Sequence, residues 1–333
     1  MTSDTAKAVL LIRNPTAGRR RRHRRLLEAV MHDLREAGWT VDLVDTTAAG
    51  DARRLAETCD ADRYAVIAVA GGDGTINEVV NGLVVRAGSA PALAIVPLGT
   101  ANVLAHELGL EFEAAAIART IMSGNALPVR PGEVNCAATD GPAASRCFSL
   151  MVGAGFDAKV VAGVSASLKR RLGRAAYLWR SLVEAARYRP VRYAVEIDGR
   201  LYETASVIVT RGRRYAGPYV VAPRAALGES MLHACLFERW GRVHTLRFGL
   251  GLLLGRLSRM GGYRVISGRD VKIYVLSDAG ETGRQPVQID GDDVLTLPVS
   301  VALASSTVRL LQPLPHLLHE PLDDFGRGVA VGR

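Results

Sequence analysis

The sequence predicts an α/β domain with a doubly wound sheet, followed by a second domain that is a mostly antiparallel β-sandwich. Three observations predict this fold. Residues 1–127 alternate apolar runs typical of buried strands with segments of helical spacing. From Pro128 onward the pattern changes to short β-rich runs divided by glycine and proline. The chain has 333 residues, 48% of them hydrophobic, which is enough to bury two cores.

The first domain, residues 1–127, is predicted from periodicity. Parallel strands that are covered on both faces read as continuous apolar runs, whereas helices that flank a sheet show apolar residues three and four apart. The runs typical of strands are 9–13, 40–44, 64–70 and 92–96. The segments typical of helices are 20–37, 51–58, the stretch after Gly74, 103–108 and 114–123.

The second domain, residues 128–299, is predicted to consist mainly of short strands. Strands are expected at 146–152, 192–197, 205–210, 231–237, 263–265, 271–275, 285–289 and 294–299. Two helices are expected at 164–188, which mixes basic and aromatic residues, and at 242–258, which is strongly apolar on one side. Residues 314–333 are expected to form a poorly ordered tail.

The most informative segment is a glycine-rich turn, GGDGT at residues 71–75, which follows a predicted strand and opens a predicted helix. Glycine lets backbone N–H groups approach a polyphosphate closely, and a helix N-terminus attracts anions. Asp73 adds a carboxylate suited to a phosphate-bound Mg²⁺. These properties together indicate a nucleotide site. The simpler alternative is a tight turn of the kind common in any doubly wound sheet.

Two more loops follow predicted strands. NPTAG at residues 14–18 leaves the first strand, and PLGTAN at residues 97–102 joins the strand at 92–96 to the next helix. Because parallel strands end at the same edge of a sheet, we expect these loops and the glycine-rich turn to face one ligand. The chain contains neither GxxxxGK[ST] nor the HRD and DFG motifs, so neither a P-loop nor a protein-kinase site is predicted.

Five ordered motifs spread over most of the chain resemble those of the diacylglycerol kinase catalytic-domain family, which includes bacterial lipid kinases and the sphingosine and ceramide kinases. They are NPTAG, GGDGTINEVVNGL, PLGTAN, GAGFDA at 153–158 and IDGDD at 289–293. A shortened GGDGT also occurs in NAD kinases, whose fold is related, whereas NEVVNGL and GTAN favour the lipid kinases. The resemblance implies a first domain of the NAD kinase and diacylglycerol kinase type, to which residues 300–313 return.

The resemblance also implies an ATP- and Mg²⁺-dependent kinase that phosphorylates a lipid hydroxyl. Asp73 would organise the metal of the ATP–Mg complex and is a candidate catalytic residue. The residues implied to bind nucleotide are Asn14, Thr16, Thr46, Gly71, Gly72, Asp73, Gly74, Thr75, Ile76, Asn77, Thr100 and Asn102.

A general base must reach the lipid hydroxyl, and the family uses the glutamate of a DGE motif for this role. This chain has Asp290-Gly291-Asp292 at that position, so Asp292 is the candidate base. The Asp292 side chain is one methylene shorter than the family glutamate. Either the loop would therefore lie closer to the acceptor, or Asp293 would act as the base instead. The local alternative is a hairpin turn, for which Asp-Gly is typical. Asp290 is a candidate substrate contact.

Asp157, in GAGFDA, is a candidate contact for the acceptor head group, with a helix N-cap as the alternative. The chain departs from many bacterial members after GTAN, where it has Val103 in place of an acid and His106 in place of an arginine. The acceptor therefore need not be diacylglycerol. In some bacterial members an aspartate holds a structural Mg²⁺, and Glu229 is the candidate for that metal site here.

The net charge of +9 comes almost wholly from arginine and implies an acidic partner. The basic run at residues 19–25 suits phosphate or membrane contact, with a solvated helix face as the equal alternative. No nucleic-acid partner is expected, because the run lacks the polar or aromatic readers of a recognition element. The chain begins without a leader pattern, and its longest apolar stretch is too short to cross a bilayer. We therefore expect a cytoplasmic protein that associates peripherally with an anionic membrane surface.

Three functions stay open from the sequence. The leading hypothesis is the lipid kinase that acts at a membrane surface. The first alternative is a kinase of NAD or of another small metabolite, and the second is a non-catalytic regulator that binds nucleotide. The sequence leaves the oligomeric state open, a homodimer included.

Overall fold

The computed structural model describes residues 7–17, 21–86, 89–136, 144–162, 191–276 and 285–314. The predicted helix at 164–188 lies outside the described residues, as do Gly18 to Arg20 and the predicted tail beyond residue 314. The helices are α1 (Arg21–Glu36), α2 (Asp51–Glu57), α3 (Asp73–Val84), α4 (Val103–Glu107), α5 (Ala114–Ser123), α6 (Phe156–Ala162) and α7 (Arg242–Leu253).

The strands outnumber those predicted, because several two- to five-residue strands carry little periodicity. They are β1 (Ala8–Arg13), β2 (Thr40–Asp45), β3 (Val66–Gly71), β4 (Ala92–Pro97), β5 (Ala126–Val129), β6 (Gly132–Cys136), β7 (Ala144–Phe148), β8 (Met151–Ala154), β9 (Tyr193–Ile197), β10 (Arg200–Thr204), β11 (Ser206–Thr210), β12 (Arg214–Tyr215), β13 (Tyr219–Val220), β14 (Leu232–Phe237), β15 (Tyr263–Gly268), β16 (Val271–Val275), β17 (Pro286–Ile289), β18 (Asp292–Thr296), β19 (Val299–Leu303) and β20 (Val308–Leu311).

The first domain contains a sheet of six strands in the order β2-β1-β3-β4-β20-β5. All neighbours are parallel except β5, which runs antiparallel to β20. Alternate residues of β1 enter two separate cores: Val9 packs with α1 and α5 on one face, and Leu10 packs with α2 and α3 on the other. Helices on both faces of a mostly parallel sheet confirm the doubly wound prediction.

The second domain contains two six-stranded sheets, β10-β9-β16-β19-β6-β7 and β15-β14-β11-β8-β17-β18. Every pair of neighbours in them is antiparallel. Apolar side chains from both sheets form one core between them, with Val195 and Val301 from the first and Val207 and Leu236 from the second. This arrangement confirms the antiparallel sandwich.

Two predicted strands are each divided between the two sheets. The run at 146–152 forms β7 in one sheet and β8 in the other, because the chain turns at Ser149 and Leu150. The run at 294–299 likewise ends β18 and begins β19, with Pro298, which has no N–H to donate, between them. Continuous apolar character predicted single strands, whereas the structure uses these runs as corners of the sandwich.

Two predicted boundaries were also wrong. Residues 299–303 still belong to the second domain as β19, so the segment expected to return at 300–313 gives the first sheet only β20. The helix expected at 242–258 ends at Leu253, and a separate 3₁₀ turn covers Leu257–Arg259. Gly255, with φ of 64°, breaks the helix between them. Within the described part of the chain, no helix has the length and apolar character needed to cross a membrane.

Candidate active site

The glycine-rich turn meets the loops on both sides of it. The Asn14 side-chain amide donates to Thr75 Oγ1 at 3.0 Å, and Asn14 Oδ1 accepts from the Thr16 hydroxyl at 2.7 Å. On the other side, Asp73 Oδ1 accepts from the backbone N–H of Leu104 at 3.2 Å. The three loops that follow β1, β3 and β4 therefore form one hydrogen-bonded edge, as their positions after parallel strands predict.

Two glycines let the second and third of these loops touch. A Cβ at Gly99 would lie 2.5 Å from Gly72 Cα, a distance that side chains do not tolerate. The helix α3 begins directly after Gly72, and the N–H groups of its first turn lack partners within the helix. The close approach of the loops therefore leaves an open cradle of backbone donors at the N-terminus of α3, which is suited to phosphate oxygens.

We expect Gly99→Ala to weaken nucleotide binding at least tenfold, because the added methyl group forces the two loops apart. Equilibrium binding of a fluorescent ATP analogue measures the effect. Gly261→Ala is the matched control, since a Cβ there meets nothing within 4 Å. Equal affinity of the Gly99→Ala variant and wild type would show that the cradle is not the nucleotide site.

Asn102 supplies a polar atom that suits a ligand. Its backbone is left-handed, with φ of 49°, and its side-chain amide donates to the Gly99 carbonyl at 3.1 Å. Among the described residues, the buried Oδ1 has no hydrogen-bond partner. A buried acceptor without a partner costs free energy, so a donor group or a metal on a ligand fits this position.

The three loops open into a cavity of 2210 Å³ that extends between the two domains. Its polar lining includes Asn14, Thr16, Asp73, Asn77, Thr100, Asn102, Asp157 and Asp292. Arg22, Arg53 and Arg146 also line it, so part of the predicted basic run faces the cavity. The remaining lining is largely apolar and includes Ile208, Val221, Phe237, Leu246, Phe248 and Leu250. Phosphate-binding groups and an apolar wall thus share one space.

Asp292 reaches the glycine-rich turn from the second domain. A Cβ at Gly74 would lie 3.3 Å from Asp292 Oδ2, and Asp292 is exposed to the cavity. The hairpin alternative holds as well, because Asp290 and Gly291 have φ of 48° and 89°, the pair of positive values that a type I′ turn requires. The hairpin turn at Asp290 and Gly291 therefore places the Asp292 carboxylate beside Gly74.

Asp290 is half-buried at the edge of the cavity and is fixed by backbone donors. Its carboxylate accepts hydrogen bonds from the N–H groups of Ser149, Leu150 and Met151 at 2.6 to 3.0 Å. Burial, helped by the charge of Asp73, raises the pKa of Asp290 to about 7 against the opposing effect of these donors. Ser149 and Leu150 form the corner between β7 and β8, and Met151 begins β8, so Asp290 joins that corner to the hairpin of Asp292.

Asp157 is buried in the wall of the cavity and lies in the first turn of α6. It accepts a hydrogen bond from the Tyr215 hydroxyl and another from the Gln288 amide at 2.7 Å. Burial raises the pKa of Asp157, and both hydrogen bonds oppose this change. The neighbours Tyr215 and Gln288 could not be found from the sequence, because no motif contains them.

Three of the expected nucleotide residues, Thr46, Gly71 and Ile76, do not line the cavity, and Gly71 is buried as the last residue of β3. The Ile76 side chain is buried in the core, and its N–H donates to the Gly72 carbonyl within the chain. Thr46 follows β2, and its N–H donates to the Arg13 carbonyl, while Ala49 and Gly50 of the same loop line the cavity in its place. Each of these residues is next in the chain to residues that line the cavity or lies within a few positions of them, but its own side chain or backbone does not reach the cavity wall.

The residues around Glu229 do not fit a metal. The guanidinium of Arg211, a fully buried residue, lies there and donates to the Arg130, Leu227 and Met231 carbonyls. Burial lowers the pKa of Arg211 to about 10, and the negative charge of Glu229 opposes this change. Within the described ranges, no three His, Cys, Asp or Glu side chains cluster as metal ligands. The Glu229 carboxylate itself lies 3.4 Å from His233 Nε2, and the buried positive charge near it is the Arg211 guanidinium, which argues against a metal at Glu229.

Two polar residues that sequence reasoning did not select join the domains. The Asn81 side chain bonds both backbone groups of Cys147, at 2.8 and 3.0 Å. The buried Glu107 accepts from the Arg214 N–H at 2.9 Å and pairs with the Arg213 guanidinium at 3.3 Å. For Glu107 the available signal was an acidic residue among the apolar residues of α4, which is ambiguous without the position of the second domain.

The fold, a doubly wound domain and an antiparallel β-sandwich that share one cavity, is that of the diacylglycerol and NAD kinases. Residues 8–134 match the model of the diacylglycerol kinase catalytic domain, and residues 150–312 match the YegS C-terminal NAD kinase beta sandwich-like domain. The chain belongs to the diacylglycerol kinase catalytic-domain family. It is a lipid kinase, a phosphotransferase with an alcohol group as acceptor.

Similar proteins agree with this assignment. The chain is 31% identical over 254 residues to a diacylglycerol kinase of Bacillus subtilis, covering 75% of this chain and 80% of that protein. It is 35% identical over 257 residues to a Pseudomonas aeruginosa protein named probable lipid kinase YegS-like. That match covers 76% of this chain and 78% of that protein. A diacylglycerol kinase structure from Bacillus anthracis has a TM-score of 0.66 at 20% identity, covering 93% of this chain and 98% of that one. A yeast NADH kinase structure has a TM-score of 0.53 at 12% identity, covering 94% of this chain and 85% of that one. At these identities the two structures show the fold alone.

Proposed function

We propose that this protein transfers the γ-phosphate of ATP to a lipid hydroxyl at the cytoplasmic surface of a membrane, with Mg²⁺ as the metal. The observation that carries the proposal is the single cavity that joins the glycine-rich turn to an apolar wall. A lipid acceptor needs both regions, because its hydroxyl must reach the phosphate while its chains leave water. The net charge of +9 favours attraction to an anionic leaflet.

The nucleotide end of the cavity has the groups that phosphoryl transfer needs. The first-turn N–H groups of α3 and the arginines of the wall would hold the triphosphate, and Asn14, Thr16, Thr100 and Asn102 would form its sides. Mg²⁺, held by Asp73, would neutralise charge that develops on the phosphates. Asp73 Oδ1 already accepts from the Leu104 N–H, so the position of this carboxylate is fixed before any ligand binds.

The acceptor end supports a proton transfer. Asp292 carries an exposed carboxylate next to Gly74, where it would take the proton of the lipid hydroxyl as the oxygen attacks phosphorus. Asp157 and Tyr215, which share a hydrogen bond in the cavity wall, would bind the polar head group of the lipid. Asp290 acts through the hairpin, since its side chain is already occupied by three backbone donors.

A transfer assay with γ-labelled ATP, Mg²⁺ and a panel of acceptors tests the proposal. The acceptors are diacylglycerol, ceramide, a sphingoid base, phosphatidylglycerol and NAD. We expect label on at least one lipid and none on NAD, and we expect Asp73→Asn to abolish the signal. Label on NAD alone would identify a metabolite kinase. Saturable ATP binding without transfer to any acceptor, by folded protein, would identify a nucleotide-binding regulator.

A further inference from the structure

Helix α7 has two apolar faces, of which only one is buried. Phe248 packs inward, with its ring 5.3 Å from that of Phe237. The opposite face, which Leu254 continues directly after the helix, carries five large aliphatic residues that are 49% to 75% exposed. These residues, here called the α7 stripe, are Val243, Leu246, Leu250, Leu253 and Leu254. Exposing this much contiguous apolar surface is unfavourable unless something covers it.

The surroundings of the α7 stripe are cationic. Residues 239–263 contain no acidic residue, and their arginines at 239, 242, 247, 256 and 259 are all exposed. Successive helical residues turn by ~100°, so Arg242 and Arg247 lie on opposite sides of the stripe. An aliphatic centre with arginine flanks matches the interfacial zone of a bilayer that contains anionic lipids.

The α7 stripe also continues into the cavity. Leu246, Leu250 and Leu253 belong to both, since they are exposed on the helix and line the cavity that reaches Asp73 and Asp292. A lipid that leaves a leaflet at this helix would therefore enter the cavity without crossing polar surface.

A second copy of the chain fits this surface less well than a bilayer. A stable protein interface buries about 800 Å² on each partner, more than five side chains supply. A symmetric pairing of the two stripes would also bring the flanking arginines of both copies together. A bilayer avoids both problems, because its apolar interior can cover the aliphatic residues while its anionic head groups contact the arginines.

We propose that the α7 stripe and its flanking arginines dock this protein onto a bilayer that contains anionic lipid. The inference rests on the proposed function, because it gives the lipid kinase its route to the acceptor. It assigns to α7 the membrane contact that the sequence analysis attributed to the net charge and to the basic run at residues 19–25.

Co-sedimentation of the full chain with vesicles of phosphatidylcholine and phosphatidylglycerol, without ATP, tests the proposal. The variant is Val243→Asp combined with Leu254→Asp, because these two residues belong to the stripe but do not line the cavity. The matched control is Val85→Asp combined with Leu201→Asp, which are similarly exposed elsewhere. We expect vesicle affinity to fall at least tenfold in the first and less than twofold in the second, and wild-type binding to weaken with added salt.

Unchanged vesicle binding of the stripe variant would overturn the proposal. A shift of that variant from dimer to monomer in sedimentation, with vesicle binding unchanged, would make the stripe an interface between copies and would also overturn it. The proposed function fails separately: stripe-dependent vesicle binding without phosphate transfer to any lipid would retain the docking surface and reject the kinase activity.

Discussion

Asp292→Asn is expected to lower phosphate transfer by on the order of 10³ while leaving ATP affinity within about threefold of wild type. The amide keeps the size and polarity of the side chain but cannot accept the proton of the acceptor hydroxyl. The carboxylate lies beside Gly74 rather than within the cradle formed by Gly72 and Gly99, so nucleotide binding should survive. Single-turnover transfer with a saturating lipid acceptor, together with equilibrium ATP binding, separates the two effects.

Two further variants make this experiment decisive. Asp292→Glu introduces the residue that the family uses, and we expect it to keep at least a tenth of the activity. Asp293→Asn changes the neighbouring acid, and we expect it to keep most of the activity. Loss of transfer in Asp293→Asn with full activity in Asp292→Asn would move the base by one residue and contradict the assignment.

Arg211→Met is expected to destabilise the fold by about 4 kcal/mol, the range for removing one partner from a buried charged network. The methionine fills much of the volume but leaves the carbonyls of Arg130, Leu227 and Met231 without a donor. Urea-induced unfolding measures the change. Because a guanidinium supplies the positive charge here, a metal chelator added without nucleotide should leave the unfolding midpoint unchanged.

Arg211→Lys and Arg200→Met are the controls for this prediction. Lysine keeps the charge, but a single ammonium cannot reach three carbonyls as the planar guanidinium does, so we expect an intermediate loss. Arg200 is exposed on β10, and its replacement should cost less than about 0.5 kcal/mol. A loss below about 1 kcal/mol for Arg211→Met, or a midpoint that falls on chelation, would contradict the role of Arg211.

Local sequence patterns predicted most of the nucleotide side of the molecule. The strand-loop-helix units around Asn14, Asp73 and Thr100 each lie within a short segment, and parallel strands necessarily bring such loops to one edge. The sequence therefore predicted the sheet edge at which the three loops meet and most of the loop residues that line the cavity there. Thr46, Gly71 and Ile76 do not line the cavity, because a motif identifies a segment and not the direction in which each of its residues points.

The sequence predicted less of the sandwich. Its strands are short, and an apolar run such as 146–152 has the same composition whether it stays in one sheet or turns into the other. The turn is decided by Asp290, which is 139 residues away from Met151 and accepts its N–H. A contact across that separation leaves no periodic signal.

The sequence by itself determined the family, the three loops that line one end of the cavity and the identity of the acidic residues, because these depend on motifs and on spacing within single segments. Only the tertiary structure decided that Asp292 lies beside Gly74, that Asp157 pairs with Tyr215 and Gln288, and that Arg211 lies where a metal was expected. The physical reason is that these contacts join segments far apart in the chain. Their formation depends on how the two domains pack and on the register of their sheets.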